Sequence, residues 1–246
     1  MRTLLLLLTL LASNLAFADA VGIRASGGLW SYEASGQIRD SANVNEYLDL
    51  KADLGIKDEE KFNGMIYIEH PVPILPNVRL GITDLKLSGN GTTTRNVDWN
   101  GTTIPSGTNV NSSVDLSHSE IGLYYEVWDT GFDFDLGVNV KFFDGDVNIN
   151  DGATINATSA FSETIPMGYV SVGVPLIAGF KIGGDLSYIS YDGDKFQDYF
   201  VNVRWVSDFL LGIEVGYRSF SVDYEDGNEF ADVKIDGPYF NLRLDF

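Results

Sequence analysis

The stretch FDFDLGVNVKF, residues 132–142, alternates without a break. Phe132, Phe134, Leu136, Val138, Val140 and Phe142 are apolar, and Asp133, Asp135, Gly137, Asn139 and Lys141 lie between them. Successive residues of a β-strand point to opposite sides, so this segment has one wholly apolar face and one that can touch water. A period of two also excludes an amphipathic helix, whose apolar residues recur three and four apart. The pattern returns in EIGLYYEVW (120–128), FKIGGDLSY (180–188), YFVNVRW (199–205) and LLGIEVGYR (210–218). Near the start, Val21, Ile23, Ala25 and Leu29 oppose Gly22, Arg24, Ser26 and Gly28.

Ten such segments can be traced: 21–36, 62–70, 77–88, 114–128, 132–147, 162–174, 178–191, 196–206, 210–224 and 233–246. Their connections alternate in length. Residues 71–76, 129–131, 175–177 and 207–209 are short, while 37–61, 89–113, 148–161, 192–195 and 225–232 are mostly longer and rich in Gly, Asn, Asp, Thr and Ser. Short turns at one end and long loops at the other are the layout of a bacterial outer-membrane barrel. The expected fold is therefore all-β: a single transmembrane antiparallel up-and-down β-barrel of ten strands, with eight as the rival count. A soluble sandwich or lipocalin-like barrel also alternates, but turns its apolar face inward. Here charges of both signs occupy the polar face of nearly every strand. Aromatics gather near segment ends, at Trp30, Tyr32, Trp128, Phe132, Tyr188, Trp205 and Phe246, as interfacial girdles do. The alternation slips at Thr83–Asp84 and near Ser219–Phe220, which predicts a bulge or the bilayer edge there.

The first twenty residues, MRTLLLLLTLLASNLAFADA, join one charge, a short apolar run and A-x-A patterns. That is the grammar of a secretory signal peptide, and the run is too short for a spanning helix. The expected organisation is a signal peptide over 1–18, with cleavage after Ala18 or Ala20, and one barrel domain over 19–246. Removing residues 1–18 takes away Arg2 alone and leaves 15 basic against 35 acidic residues, a net charge of −20. So acidic a chain argues against nucleic-acid partners. It has no cysteine, hence no disulfide and no thiolate metal site. The expected surroundings are outer-membrane lipid and lipopolysaccharide.

Two stretches go beyond general barrel grammar, GGLWSYEASGQI (27–38) and EHPVPILPNVRLGIT (69–83), and LDLKADLGIKDEEKF (48–62) lies between them. They resemble a family of small, mostly uncharacterised outer-membrane β-barrel proteins of Gram-negative bacteria, known by a Gly-Gly name. The resemblance runs from the signal peptide to about Thr83 and includes the C-terminal strand. It implies location and fold and brings no activity. Physically, Pro71, Pro73 and Pro76 cannot donate ladder hydrogen bonds, so they read as a stiff periplasmic turn.

Residues able to do chemistry are few. His70 borders the proline turn and reads as structural. His118 lies in SHSE beside Ser117, Ser119 and Glu120. Strand geometry puts His118 on one face with Glu120 and both serines on the other, whereas a triad needs its members within hydrogen-bond reach. A rim lipid hydrolase is thus a remote reading, and the paired acids of barrel proteases have no counterpart. Asp144, Asp146 and Asn148, Asp192 and Asp194, and Glu225, Asp226 and Glu229 form acidic groups near strand ends. Such oxygens suit Ca²⁺ or Mg²⁺, but the first run lacks the glycine and the terminal acid of a calcium loop, and solvated loops are the expectation.

The predicted lumen face is charged throughout. It carries Arg24, Arg79, Lys141, Lys181, Arg204, Arg218 and Arg243, and also Glu69, Glu120, Glu126, Asp133, Asp135, Asp185, Asp198, Glu214 and Asp245. Eight strands leave a space just filled by side chains, and unpaired buried charge is costly. Ten strands therefore predict a paired, largely occluded lumen in a structural or surface-interaction barrel without a catalytic site. The alternative is a narrow small-solute channel, for which the lumen glycines Gly22, Gly81, Gly122, Gly137, Gly183, Gly212 and Gly216 would leave room.

The last strand ends in Phe240, Leu242, Leu244 and Phe246. These form a lipid-facing stripe, and a C-terminal aromatic on an alternating strand resembles the signal read by the outer-membrane assembly machinery. Deleting Phe246 is expected to lower outer-membrane yield while leaving secretion intact, as immunoblots of separated membrane and periplasmic fractions would show.

Overall fold

The computed structural model describes residues 21–72, 74–207 and 209–246. The expected signal peptide and Pro73 lie outside the described residues. The strands are β1 (Gly22–Asp40), β2 (Leu48–Asp49), β3 (Glu59–Glu69), β4 (Asn77–Thr83), β5 (Lys86–Thr92), β6 (Val97–Trp99), β7 (Thr102–Ile104), β8 (Asn109–Asp115), β9 (His118–Trp128), β10 (Asp133–Asn150), β11 (Asn156–Pro175), β12 (Phe180–Tyr191), β13 (Asp194–Val206), β14 (Leu211–Asp226) and β15 (Glu229–Asp245). Among the described residues ten of these, β1, β3, β4 and β9 to β15, form the wall, and every neighbouring pair is antiparallel.

The wall closes where β1 meets β15, from Arg24↔Asp245 to Asp40↔Glu229. The terminal residue takes part: the Phe246 N–H donates to the Ile23 carbonyl at 2.8 Å, and the Ile23 N–H returns to Phe246 at 3.1 Å. Closure leaves no sheet edge at this level, which is what a hydrocarbon environment requires of a spanning sheet.

Outside, the lower wall is an apolar belt. Phe240, Leu242 and Leu244 on β15 with Phe246 just after it, Leu211, Ile213, Val215 and Tyr217 on β14, and Leu136, Val138 and Phe142 on β10 are all exposed. A continuous band of this kind marks a lipid-facing surface rather than a wet one. Along Val21 and the start of β1 it covers residues 21–29, after which Ser31, Glu33 and Ser35 face outward. Tilted strands of about 9–11 residues cross a bilayer, so the belt is one bilayer thick. Trp128 stacks on Phe132 with ring centroids 5.9 Å apart at its periplasmic edge.

Above the belt the pattern inverts. Trp30, Tyr32 and Ala34 on β1, Phe143 and Ile149 on β10, Phe220 on β14, and Val233 and Ile235 on β15 turn inward and are buried. Glu33, Asp144 and Lys234 face out on the same strands. Water now wets the exterior, so apolar residues move to the interior. This explains the slip near Ser219–Phe220. The β13–β14 and β14–β15 ladders run through it unbroken, and the change marks the bilayer edge, not a bulge. The register shift in the wall lies instead at Phe134/Asp135, between β9 and β10. The inversion also corrects two girdle residues. Trp30 and Tyr32 belong to the interior, because parity places them with Arg24 and Gly28.

The long connections are corrected too. Residues 37–61 and 89–113 fold over the barrel mouth. Leu48, Leu50, Leu54 and Ile56 from the first, with Leu85, Leu87, Val97, Trp99, Ile104, Val110 and Val114 from β4–β9, complete one apolar core with the inverted strand tops. Each large side chain so buried contributes about 1.5–3 kcal/mol. The β5–β8 hairpin extends the wall by pairing Val114 with Val147 of β10. Residues 148–161 and 225–232 are mostly strand, because β10–β11 and β14–β15 continue as hairpins beyond the membrane. Asp151 fixes the first of these turns by accepting the N–H groups of Ala153, Thr154 and Ile155, each at 2.8 Å.

Asp53 latches the two long connections together. It is fully buried. It accepts the Thr94 N–H at 2.8 Å, the Thr94 hydroxyl at 2.6 Å and the Asp49 N–H at 2.9 Å. Gly91 allows this approach, since a Cβ there would stand 2.1 Å from the Asp53 carbonyl oxygen. Burial pulls the Asp53 carboxyl up, but the hydrogen bonds from Thr94 and Asp49 outweigh it and hold the group below its ordinary value. A depressed carboxyl stabilises above its unfolded value and loses that contribution as pH falls through the folded one. The Thr94 amide is therefore expected to stay protected against hydrogen exchange at neutral pH and to lose protection only below about pH 4. In Asp53→Asn, protection should already be reduced at neutral pH, because the carboxylate acceptor is gone.

Candidate functional site

The inward residues of the membrane-level wall form two tiers. The central tier joins Arg79 (β4), Glu120 (β9), Lys141 (β10), Asp198 (β13) and Arg218 (β14), none more than 6% exposed. Glu120 takes Arg79 on one oxygen and Lys141 on the other. The Lys141 ammonium also lies 2.8 Å from Asp198. Asp198 in turn receives Arg218 in a fork, Nε to Oδ1 at 3.0 Å and Nη2 to Oδ2 at 2.8 Å. The third Arg218 nitrogen, Nη1, donates to the Thr83 hydroxyl at 3.0 Å, which brings the chain of contacts back to β4. Aromatic faces cover the guanidiniums: Arg218 lies between Trp30 (4.5 Å) and Phe200 (4.6 Å), and Arg79 lies over Tyr169 (4.3 Å). Such stacking suits Arg, whose planar cation is weakly hydrated.

Of the lumen glycines, Gly122 and Gly81 adjoin this tier. A Cβ on Gly122 would meet Arg79 Cγ at 2.4 Å, and one on Gly81 would meet Glu120 Cγ at 2.6 Å. The missing side chains are the space in which the charged ones lie down.

The second tier sits at the periplasmic mouth. Arg24 pairs with Glu69 beneath Tyr67, and Tyr124 donates to Glu69 at 2.8 Å. Arg243 bridges Glu214 (3.1 Å) and Asp245 (3.0 Å), and the Tyr239 hydroxyl donates to Glu214 at 2.9 Å. Lys181 pairs with Asp133, and Tyr169 donates to Asp185 at 2.8 Å. Arg204 stands in register between Lys181 and Glu214, and Asp135 beside Glu126. Among the described residues, these last three, Arg204, Asp135 and Glu126, make no ion pair within 4.0 Å. The charged residues expected in the lumen thus do share it, but as two clusters rather than one network. What the pattern reading underused were aromatics: Trp30, Tyr67, Tyr169, Phe200 and Tyr239 line the same space. Their signal was parity, the same signal that located the charges.

His118 lies inside, at the top of the central tier, not at the outer rim. Its ring packs on Phe143 and Phe220, with centroids 4.7 and 5.6 Å away. Nδ1 faces the Leu116 carbonyl at 3.0 Å, so that nitrogen carries the proton, and Nε2 faces the Lys141 ammonium at 3.3 Å. Ser117 points elsewhere and accepts the Leu85 N–H at 2.9 Å. No hydroxyl of the SHSE segment is within reach of the imidazole for nucleophilic work. His70 staples the proline turn: Nε2 donates to the Pro76 carbonyl at 3.1 Å and Nδ1 accepts the Val72 N–H at 3.2 Å. Asp144, Asp146 and Asn148 lie on the outer face of β10, where Asn148 bonds Thr158 at 2.9 Å.

His118, Glu120 and Asp198 each offer an atom within 4.8 Å of the others. That is the spacing of a metal site, but the Lys141 ammonium touches all three. The cation is covalently built in. Lys141→Ala would leave two buried carboxylates short of a partner, a loss of about 3–5 kcal/mol, around a vacant three-ligand seat. The variant should unfold at lower temperature on heat-modifiability gels and regain part of the loss with zinc, whereas the unsubstituted chain should ignore zinc.

Neither a family model nor a curated protein matches the chain. Among solved structures it is similar to Ail, the attachment invasion locus protein of Yersinia pestis solved with the heparin analogue sucrose octasulfate. That match has 11% identity and a TM-score of 0.39 and covers 92% of this chain and 99% of that one. It is also similar to a TodX deletion mutant described as a monoaromatic hydrocarbon channel, at 7% identity and a TM-score of 0.43 over 96% and 94%. A third is Neisserial surface protein A, at 9% and 0.34 over 92% and 97%. Likeness at this level carries no function across, and the fold rests on the strand pairings and the apolar belt. On those, the chain is an integral outer-membrane β-barrel protein of ten antiparallel strands.

Proposed function

We propose that this protein is a non-conducting outer-membrane barrel whose working surface is the folded assembly above the bilayer. One observation carries the reading: Arg79, Glu120, Lys141, Asp198 and Arg218 bridge the lumen from β4 to β14 with almost no access to water. An ion crossing this tier would have to break pairs that are buried and mutually dependent, at several kcal/mol each. Above it the apolar core formed with residues 48–56 and 85–114 lies across the same axis. A rigid scaffold that holds an ordered outer surface fits a structural or surface-interaction role. The charge-lined periplasmic mouth is then a blind vestibule. A small-solute channel is the competing reading, and the close contacts of Arg79 and Glu120 with Gly122 and Gly81 oppose it.

Refolded protein in planar bilayers is expected to show no stable unitary conductance. A unitary conductance that shifts when Arg218 or Glu214 is neutralised would overturn the reading and make the lumen a pore.

A further inference from the structure

The wall is not paired to equal height all round. The β11–β12 ladder ends at Gly168↔Tyr188. Yet β11 continues upward to Asn156 and β12 to Tyr191. Above that point residues 156–167 of β11 pair only with β10, and residues 189–191 of β12 only with β13. Pro166, which has no N–H to offer, stands just above the last pair. The wall therefore has a notch on this side, opening at the upper margin of the lipid belt, where residues 164–167 of β11 pair with residues 139–142 of β10.

Behind the notch is a cavity of about 250 Å³. It occupies the upper interior beside the apolar core. Trp99, Phe143, Phe161, Phe196, Val222 and Phe230 supply its apolar walls. An apolar cavity of about 150 Å³ stays dry and holds benzene. This one has room for one substituted ring, or for a chain of similar bulk.

The charged groups that line it are acidic but for one. Asp40, Glu163, Asp194 and Glu229 line the cavity. Glu163 and Glu229 are exposed, so they face whatever enters. The one cation of the lining, Arg39, is already engaged. It pairs with Glu225 at 3.0 Å, donates to the Asn228 carbonyl at 3.2 Å, and lies over the rings of Tyr47 and Phe230 at 5.4 and 5.5 Å. The Glu229 carboxyl is held above its ordinary value by partial burial and by Asp40, Asp226 and Glu163, as expected where acids crowd without a counter-ion.

We propose that this cavity binds a small amphiphile with a ring-sized apolar body and a cationic amine head, admitted sideways through the notch between β11 and β12. The body fills the aromatic cavity, and the head rests among Glu163, Glu229 and Asp40. A carboxylate of the same shape meets those acids instead and is rejected, which excludes fatty-acid-like ligands. The surrounding aromatic faces add cation–π attraction for the ammonium.

The matched probes are phenylbutylammonium, phenylbutanol and phenylbutyrate, which share one apolar body and differ in head charge. Each is titrated calorimetrically into the full-length mature chain in zwitterionic phospholipid nanodiscs, with empty nanodiscs subtracted to remove partitioning. Saturable one-site binding of the ammonium is expected, at least about tenfold tighter than the carboxylate. Glu163→Gln combined with Glu229→Gln should bring the two within about threefold. Ala231→Trp, which fills the cavity from β15, should abolish binding of both. The charge variants keep the proposal falsifiable if the tryptophan variant does not fold, which gel migration reports. Equal or tighter binding of phenylbutyrate, unchanged affinity in folded Ala231→Trp, or no saturable binding of the ammonium to the unsubstituted chain would each overturn it.

Discussion

Two carboxylates, Glu120 and Asp198, hold three cations, Arg79, Lys141 and Arg218, at the centre of the barrel. The rest of the interior depends on that arrangement. Lipid on the outside leaves polar side chains nowhere to go but inward, and water is scarce there. Each charge must then be answered by another. The five residues come from five strands, and Thr83 links the last back to the first. The contacts therefore tie β4, β9, β10, β13 and β14 across the lumen, which backbone hydrogen bonds between neighbours alone do not do. Lys141 is the pivot, because it touches both carboxylates and His118 in a space that would otherwise suit a metal ion.

The bilayer edge is the second organising constraint. Below it the chain is apolar outside and polar inside, and above it the order is reversed. Strands such as β10 and β14 pass through this boundary without changing register, so one continuous element serves two environments. The upper part then behaves like a water-soluble β domain with its own core. The residues between β1 and β3 and between β4 and β9 complete that core. The notch between β11 and β12 opens at the upper margin of the belt and continues into this region, where an unpaired strand segment can be hydrated and closure of the wall is no longer compulsory.

Much of this was legible in particular residues. FDFDLGVNVKF shows both faces of β10 from Phe134 to Phe142, including the inward Lys141. The terminal Phe240, Leu242, Leu244 and Phe246 show the belt, and Arg243 and Asp245 between them show the mouth. Reading Trp30 and Tyr32 as girdle residues failed because it relied on aromatic character near a segment end. Parity from Arg24 and Gly28 assigns both to the interior. Residues 148–161 looked like a loop because their outward positions are polar on a strand that has already left the membrane. Ile149 and Ala157, both buried, were the quiet sign that the hairpin continued.

The sequence by itself determined that this chain is a β meander with an apolar exterior, because a period of two and the sign of each face are local properties of a strand. It also determined which charges must share the lumen. Only the tertiary structure decided which of them meet. Arg218 and Asp198 are twenty residues apart and Arg79 and Glu120 forty-one, and their pairing depends on strand stagger around a closed wall, which no single segment encodes. The same holds for Asp53 on Thr94, for the two connections that become a core, and for the cavity behind the notch. Each exists only where distant segments arrive at one place, and the energies that select them, desolvation and packing, are set by what surrounds a residue rather than by the residue itself.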